Sequence, residues 1–309
     1  MVVASHHPPR LPPREVRARL ADFYGPCVLC EQRCGAMREL GEEGACGLAD
    51  QTVVYNRMVH VGEERELVPS YTIFLSGCSM LCSFCSEQEH LRPPFARTPI
   101  TADALAAKVA EHLGSLRERG PVIRNINFVG GEPAISLPFI ADFAAALDTR
   151  VDGRPPLLLN TNGYVTPEVW ALATHLCEVF VVDYKFGNDG CAESIGDVAR
   201  YGEILRRNLM MLERAHSGCG EDDALPVELW VRHLVMPGHL DCCTRPCLSW
   251  LAAALPSARV NVMPAFFPFR GGTNDAWPQL SDRDKALSRR LLATSGIRHA
   301  LWDGRRLEP

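Results

Sequence analysis

The stretch SGCSMLCSFCSEQEH, residues 76–90, decides how this chain is read. Cys78, Cys82 and Cys85 fall into eight positions at the spacing C-x3-C-x2-C, directly after the apolar run YTIFL. That run has the aromatic and β-branched character of a strand, which puts the three thiols on a loop at its carboxyl end. Three thiolates so close together can hold three corners of one inorganic cluster. A structural zinc ion or a fully protein-bound 4Fe-4S cluster takes four protein ligands. The missing fourth cysteine leaves one metal position open to something other than protein. The alternative is a zinc ion completed by a distant residue such as His90.

Outward from this loop, strands and helices alternate. Apolar runs at 122–131, 156–163, 179–185, 227–238 and 259–266 read as further strands. Between and after them, helical patterns run over 101–120, 137–147, 167–176, roughly 193–215, 247–255 and 281–296. Thr101 and Ser281 serve as N-caps, Pro167 as a first-turn proline and Gly296 as a closing residue. Six strand–helix units imply a parallel sheet, and strands that are apolar nearly throughout imply that both faces are covered. Six units are too few for an eight-fold barrel. An open doubly wound sheet and a partial barrel remain, and in both the function lies at the carboxyl ends of the strands. Residues 1–20 read as a loose, proline-rich arm and 52–61 as an extra strand. The expected division is an amino-terminal arm and Cys-rich segment over 1–66 and an α/β unit over 67–309.

The totals narrow the function. The 309 residues are 47% hydrophobic and 22% charged, with a net charge of −5, which offers no basic surface for nucleic acid. No apolar run approaches the roughly 20 residues of a membrane span, and the start has no secretory apolar region. The expected location is cytoplasmic, where thirteen cysteines are metal ligands or redox groups rather than disulfides. Cys177, Cys191 and Cys219 stand apart and read as small buried hydrophobes or inert thiols.

C-x3-C-x2-C with the aromatic Phe84 before its last cysteine resembles the radical SAM superfamily, and the likeness runs from residue 70 to about 265. It implies a partial (β/α)6 barrel with an N-terminal Cys-rich extension. It also implies that Cys78, Cys82 and Cys85 hold a 4Fe-4S cluster whose open iron is chelated by S-adenosylmethionine. One electron then yields a 5′-deoxyadenosyl radical. FVGGEP (128–133) resembles the family's glycine motif: Gly130 and Gly131 let backbone approach a ligand, and Glu132 accepts hydrogen bonds from an ammonium group. LLLNTNGY (157–164) and VVDYKF (181–186) resemble stretches of the glycyl-radical-enzyme activases, typified by pyruvate formate-lyase activating enzyme. That likeness assigns Asn160, Asn162, Asp183 and Lys185 to the cofactor or a nearby cation. Asn160 stands where those activases carry an Asp, which weighs against the cation. Each pair lies two residues apart and shares a strand face. Arg232 in WVRHLVMPG matches an Arg that faces the lumen and reaches the cofactor, its fork suited to a carboxylate. His233 points the other way and reads as a core histidine.

Further cysteines lie on both sides. Cys27, Cys30, Cys34 and Cys46 make a compact four-thiolate set, which suits either zinc or a second iron–sulfur cluster that relays electrons. Cys242, Cys243 and Cys247 read as small residues at a helix start, because adjacent cysteines do not easily face one metal. Phe266, Phe267, Phe269 and Arg270 either line a substrate mouth or form a packed loop. Ser86 and Glu87 depart from the F-C-Q-N of the most similar activase-like branch, which favours a small-molecule substrate such as a sugar, nucleoside or amino-acid intermediate. The alternatives are an activase that makes a glycyl radical on a partner protein and a zinc-binding interaction protein without catalysis. The resemblance also implies an electron donor such as flavodoxin or ferredoxin.

Overall fold

The order in which the strands pair shapes this molecule. The computed structural model describes residues 9–62, 64–95, 97–217, 225–266 and 277–307. Among the described residues, nine strands form one sheet in chain order. They are β1 (Val54–His60), β2 (Ser70–Leu75), β3 (Asn125–Gly130), β4 (Leu157–Thr161), β5 (Val179–Asp183), β6 (Glu228–Leu234), β7 (Arg259–Met263), β8 (His299–Trp302) and β9 (Arg305–Arg306). Strands β2 to β8 run parallel, each to the next. β1 and β9 are antiparallel edges. Right-handed crossovers that always step the same way put every helix on one face, and the sheet curls about the other. A doubly wound order would reverse at a switch point. The sheet is therefore a partial barrel, with β1 and β9 at its unjoined ends.

The helices are α1 (Pro13–Leu20), α2 (Ala102–Arg119), α3 (Leu137–Asp148), α4 (Pro167–Leu176), α5 (Asp189–Gly196), α6 (Tyr201–Ser217), α7 (Arg245–Ala254) and α8 (Asp282–Ala293). Thr101 and Ser281 cap α2 and α8 by accepting from the amides of Ala104 and Asp284. The outward-facing Phe128, Phe180, Leu229 and Val260 are fully buried in one cluster with Val109, Ile140, Trp170 and Leu251 of the helices. None of the helices, among the described residues, is long and apolar enough to cross a membrane.

Three elements differ from the sequence-based expectation. The arm expected to be loose contains α1, whose Val16 and Leu20 are one turn apart and fully buried against α3 and α4. Arg10 ties the arm down further, donating to the carbonyls of Thr174 and Cys177 at the end of α4. The helix expected across 193–215 is two helices, α5 and α6, broken at Asp197 in the left-handed region at φ 56°. The break frees the last carbonyls of α5, and those of Ile195 and Gly196 accept from the amides of Ser83 and Leu81. The carboxyl end adds β8 and β9, which the sequence reading did not foresee.

The lumen is filled from outside the barrel strands. Leu67, in the connection between β1 and β2, packs against Leu158, Val181 and Trp230 inside the curl. From the same connection, Glu64 accepts from Arg232 Nε at 2.8 Å and Nη2 at 2.5 Å. Its Oε1 also accepts from Asn261 Nδ2 at 2.7 Å. Burial alone would raise the Glu64 carboxyl, but Arg232 and Asn261 hold it below its ordinary value. Glu64→Ala removes the bidentate carboxylate from the buried Arg232, and a loss of about 3–5 kcal/mol is expected. The double variant Glu64→Leu/Arg232→Met removes both charges and recovers most of that loss. Denaturant titration of the mutant cycle checks this; a single-variant loss under about 1 kcal/mol would place the pair among solvated ones.

Candidate functional site

The cysteine loop owes its shape to backbone partners from four directions. Gly77 takes φ 82°, and its amide donates to the His90 carbonyl at 2.9 Å. The Cys78 amide donates to the Cys46 carbonyl at 3.2 Å, joining the loop to the amino-terminal Cys-rich segment. The α5 carbonyls hold Leu81 and Ser83, as above. On the fourth side the loop after β3 presses against it: the Gly131 amide donates to Leu75 O at 2.7 Å and the Glu132 amide to Gly77 O at 2.8 Å. A Cβ on Gly131 would lie 1.8 Å from Gly77 O, and one on Gly130 2.5 Å from Leu75 O. The two glycines were expected to let backbone approach a ligand. The close approach they permit is of chain to chain.

This packing gathers most of the predicted residues around one cavity of about 100 Å³ at the carboxyl ends of β2 to β5. Cys78, Cys82, Phe84, Cys85, Gly130, Gly131, Asn160, Asn162, Asp183 and Lys185 line it. Larger hollows exist, such as one of about 370 Å³ beside Arg17 and Tyr24, but no cysteine lines that one. Asn160 is on the lumen face of β4. Asn162 lies in the turn just past the strand rather than on it, and its Nδ2 donates to Ser79 Oγ at 3.1 Å. Lys185 forms an ion pair with Asp183. Burial would lower the lysine, yet Asp183 and Cys82 together hold it above its ordinary value.

Two of the residues expected at the cofactor, Glu132 and Arg232, are not in the lining of this cavity, and neither are Cys27, Cys30, Cys34 and Cys46 of the expected second metal set. Glu132 is fully buried, and its carboxylate is engaged within the chain. It accepts from the amides of Ala134 and Asn162 and from the Thr161 hydroxyl, at 2.8, 2.7 and 2.6 Å. Burial pushes its pKa up to about 7 against the pull of these three donors. Arg232 lies in register with Asp183 on the next strand, and its fork is taken by Glu64. His233 is the expected core histidine: its ring nitrogens meet the Tyr184 carbonyl and the Thr244 hydroxyl at 2.7 and 2.9 Å, and burial lowers its pKa to about 4. Cys177 and Cys247 are fully buried. Cys219, Phe267, Phe269 and Arg270 lie outside the described residues. Phe266 is buried against Phe84, with ring centroids 5.8 Å apart.

The lining fits a thiolate-bound cluster. Burial raises the pKa of all three thiols, that of Cys82 to about 12. Side by side as thiolates they need strong positive charge, which a metal supplies. The amides of Met80 and Glu87 already point at the Cys78 and Cys85 sulfurs, each at 3.4 Å. Among the cavity's described lining residues no fourth thiol or imidazole completes a ligand set.

The sequence reading missed Glu64 and Ser79. A single Glu in VGEEREL carries no sign of burial, and no pattern in the sequence marks it. It also set aside Cys191 and His239, which meet Cys242 and Cys243 with all four ligand atoms within 4.8 Å of one another. Adjacent cysteines were expected not to face one metal; His239, three and four residues before them, was the available signal.

Comparison with known proteins gives a consistent picture. The model of the radical SAM superfamily matches residues 72–244. An uncharacterized protein of Methanocaldococcus jannaschii is 34% identical over 247 residues, covering 80% of this chain and 68% of that protein. A crystal structure of a radical SAM methyltransferase from Sphaerobacter thermophilus superposes with a TM-score of 0.55 at 20% identity, over 75% of this chain and 66% of that one. Streptococcus suis SuiB, bound to the precursor peptide SuiA, superposes with a TM-score of 0.50 at 10% identity, over 73% of this chain and 46% of that one. At these identities the structural likeness is one of fold.

The Gly131 contact can be tested directly. Gly131→Ala must push the two loops apart, and its iron content after anaerobic reconstitution is expected to fall to that of Cys82→Ala. Gly114→Ala, with nothing within 4 Å of the added carbon, keeps the wild-type value. Full iron in Gly131→Ala would refute the packing argument.

Proposed function

Because the chain belongs to the radical SAM superfamily, a superfamily of enzymes that use a 4Fe-4S cluster and S-adenosylmethionine, we propose that Cys78, Cys82 and Cys85 hold that cluster. We propose further that the enzyme removes a hydrogen atom from a small polar molecule, in oxidoreductase or lyase chemistry. The observation that carries the reading is the cavity where the buried Cys78 and Cys82 and the half-buried Cys85 meet Asn160, Asn162, Asp183 and Lys185, with no fourth thiol or imidazole among its described lining residues. The group supplies one-electron chemistry strong enough to break an unactivated C–H bond.

The chain's own residues supply place and polarity. Lys185 and Asp183 present a charged pair to the cavity, and Asn160 and Asn162 present amides. Phe84, Met80, Leu91 and Val129 form an apolar wall that keeps water away. Below the cavity, Leu67 and Glu64 already occupy the lumen. That filling leaves little depth for a protein loop and supports a small substrate over a glycyl-radical partner. The Cys-rich extension supports an electron relay. The Cys46 carbonyl binds the Cys78 amide directly. Among the described residues, no three of Cys27, Cys30, Cys34 and Cys46 bring their sulfurs within 4.8 Å of one another. A single zinc ion, with Zn–S of about 2.3 Å, needs sulfurs roughly 3.8 Å apart. A second iron–sulfur cluster at these four cysteines would be fed by a flavodoxin- or ferredoxin-type donor. A cysteine-rich chain of this kind suits the reducing cytoplasm.

Release of 5′-deoxyadenosine tests the reading. Reconstituted protein given dithionite and S-adenosylmethionine is expected to form it, and the Cys78→Ala/Cys82→Ala/Cys85→Ala variant to form none above the blank. Repeated turnover on a small molecule without a partner supports the substrate class; one equivalent per added partner protein would overturn it. Equal nucleoside from the variant would sink the cluster assignment.

A further inference from the structure

Four ligand-bearing side chains meet away from the cavity, on two loops that follow β5 and β6. Cys191 stands in the first turn of α5. His239, Cys242 and Cys243 come from the turn that leads into α7, where Leu240–Thr244 form a π-helical turn. Adjacent cysteines can share a ligand set here because their common partner is His239. Positions three and four beyond a residue both lie on its face of a helical turn, so Cys242 and Cys243 straddle the imidazole. The Cys243 and Thr244 amides both donate to the His239 carbonyl, at 2.9 and 3.1 Å. That widened turn spreads the two side chains, and π turns of this kind recur at functional sites.

The distances are those of one ion. Zn–S of about 2.3 Å and Zn–N of about 2.0–2.1 Å give tetrahedral edges of roughly 3.8 Å between sulfurs and roughly 3.6 Å from sulfur to nitrogen. Cys191 Sγ lies 3.9 Å from Cys242 Sγ and 3.6 Å from His239 Nδ1, and Cys242 Sγ lies 3.3 Å from that nitrogen. Cys243 Sγ completes a set within 4.8 Å. The surroundings are built for anionic sulfur. Asn188 Nδ2 donates to Cys191 Sγ at 3.2 Å and to the Cys242 carbonyl at 2.9 Å. Gly187 lets the first loop close on the second: a Cβ there would lie 2.6 Å from Cys242 O and 2.7 Å from Cys243 Cα. Such outer contacts orient metal ligands.

We propose that Cys191, His239, Cys242 and Cys243 bind a structural zinc ion that ties the start of α5 to the turn before α7. Four protein ligands close the site, which marks a structural rather than a catalytic metal. The tie has consequences for the rim. The far end of α5 holds the cysteine loop through Leu81 and Ser83. On the other side His239 meets Trp277, whose ring lies edge-on to Phe84 at 5.8 Å and whose Nε1 donates to Ser83 Oγ. The ion thus braces the cluster loop without belonging to it.

Metal counting on the full chain tests this. Zinc and iron are measured after chelator treatment in wild type, in Cys27→Ala/Cys30→Ala and in Cys191→Ser/Cys242→Ser. One zinc per chain is expected to persist in the first variant and to be lost from the second. If the second variant fails to fold, zinc-edge X-ray absorption of the first reads the site directly, and three sulfurs with one imidazole are expected. Zinc retained in Cys191→Ser/Cys242→Ser, no zinc in Cys27→Ala/Cys30→Ala, or a zinc shell without imidazole each overturns the proposal. Iron content reports separately on the cluster cysteines, so failure here leaves that reading standing.

Discussion

The rim of this barrel depends on two backbones meeting at Gly77 and Gly131. No side chain fits between them, since a Cβ on Gly131 would sit 1.8 Å from the Gly77 carbonyl oxygen. The contact lets Glu132 donate its amide to that oxygen while its carboxylate reaches forward to Thr161 and Asn162. One buried residue thereby joins the ends of β2, β3 and β4. Asn162, fixed at its backbone, then turns its amide to Ser79 and the Cys78 sulfur. The cysteines are thus positioned by a relay of short contacts, each of which requires the one before it.

The lumen solves a different problem. An incomplete barrel cannot fill its interior from its own strands, because one side lacks the staves that would contribute side chains. The connection between β1 and β2 enters instead, with Leu67 in the apolar layer and Glu64 in the polar one. A buried arginine such as Arg232 is unfavourable without a partner, and Glu64 provides a bidentate one. Asp183 and Lys185, in the neighbouring register, make a second internal ion pair. Both interior cations thus face a carboxylate, and the pair at the cavity offsets part of the desolvation cost of keeping charge there.

Much of this was legible in the sequence, for reasons that are physical. The barrel strands are continuous apolar runs, and Thr101 and Ser281 cap helices with the side-chain chemistry their positions suggest. Cys78, Cys82 and Cys85 are close in sequence, so their meeting needed no tertiary information. What escaped depended on tertiary contact. The turn of α1 is held by burial of Val16 and Leu20 on α3 and α4, which a short proline-rich segment does not announce. The break between α5 and α6 answers to the amides of Leu81 and Ser83, more than a hundred residues upstream. The glycines of GGEP line the cavity as expected, and they also admit a close contact of chain with chain that the motif alone does not announce.

Sulfur spacing sorts the cysteines of this chain. At Cys191 and Cys242, with His239, the ligand atoms stand 3.3 to 3.9 Å apart, close enough for a single ion to touch all of them. Around Cys78 and around Cys27, among the described residues, no three ligand atoms come within 4.8 Å of one another. A multi-iron cluster is larger than an ion and spreads its thiolates at its corners, whereas one zinc ion draws its ligands to within about 4 Å of one another. The three groups also differ in what they touch. The Cys78 amide donates to the Cys46 carbonyl, so the two amino-terminal groups are in direct backbone contact. The tight set, among the described residues, meets the cysteine loop through α5 and Trp277, as the proposed brace would. On this reading the metal at each group follows from the separation of its ligands, and the task of each follows from its neighbours.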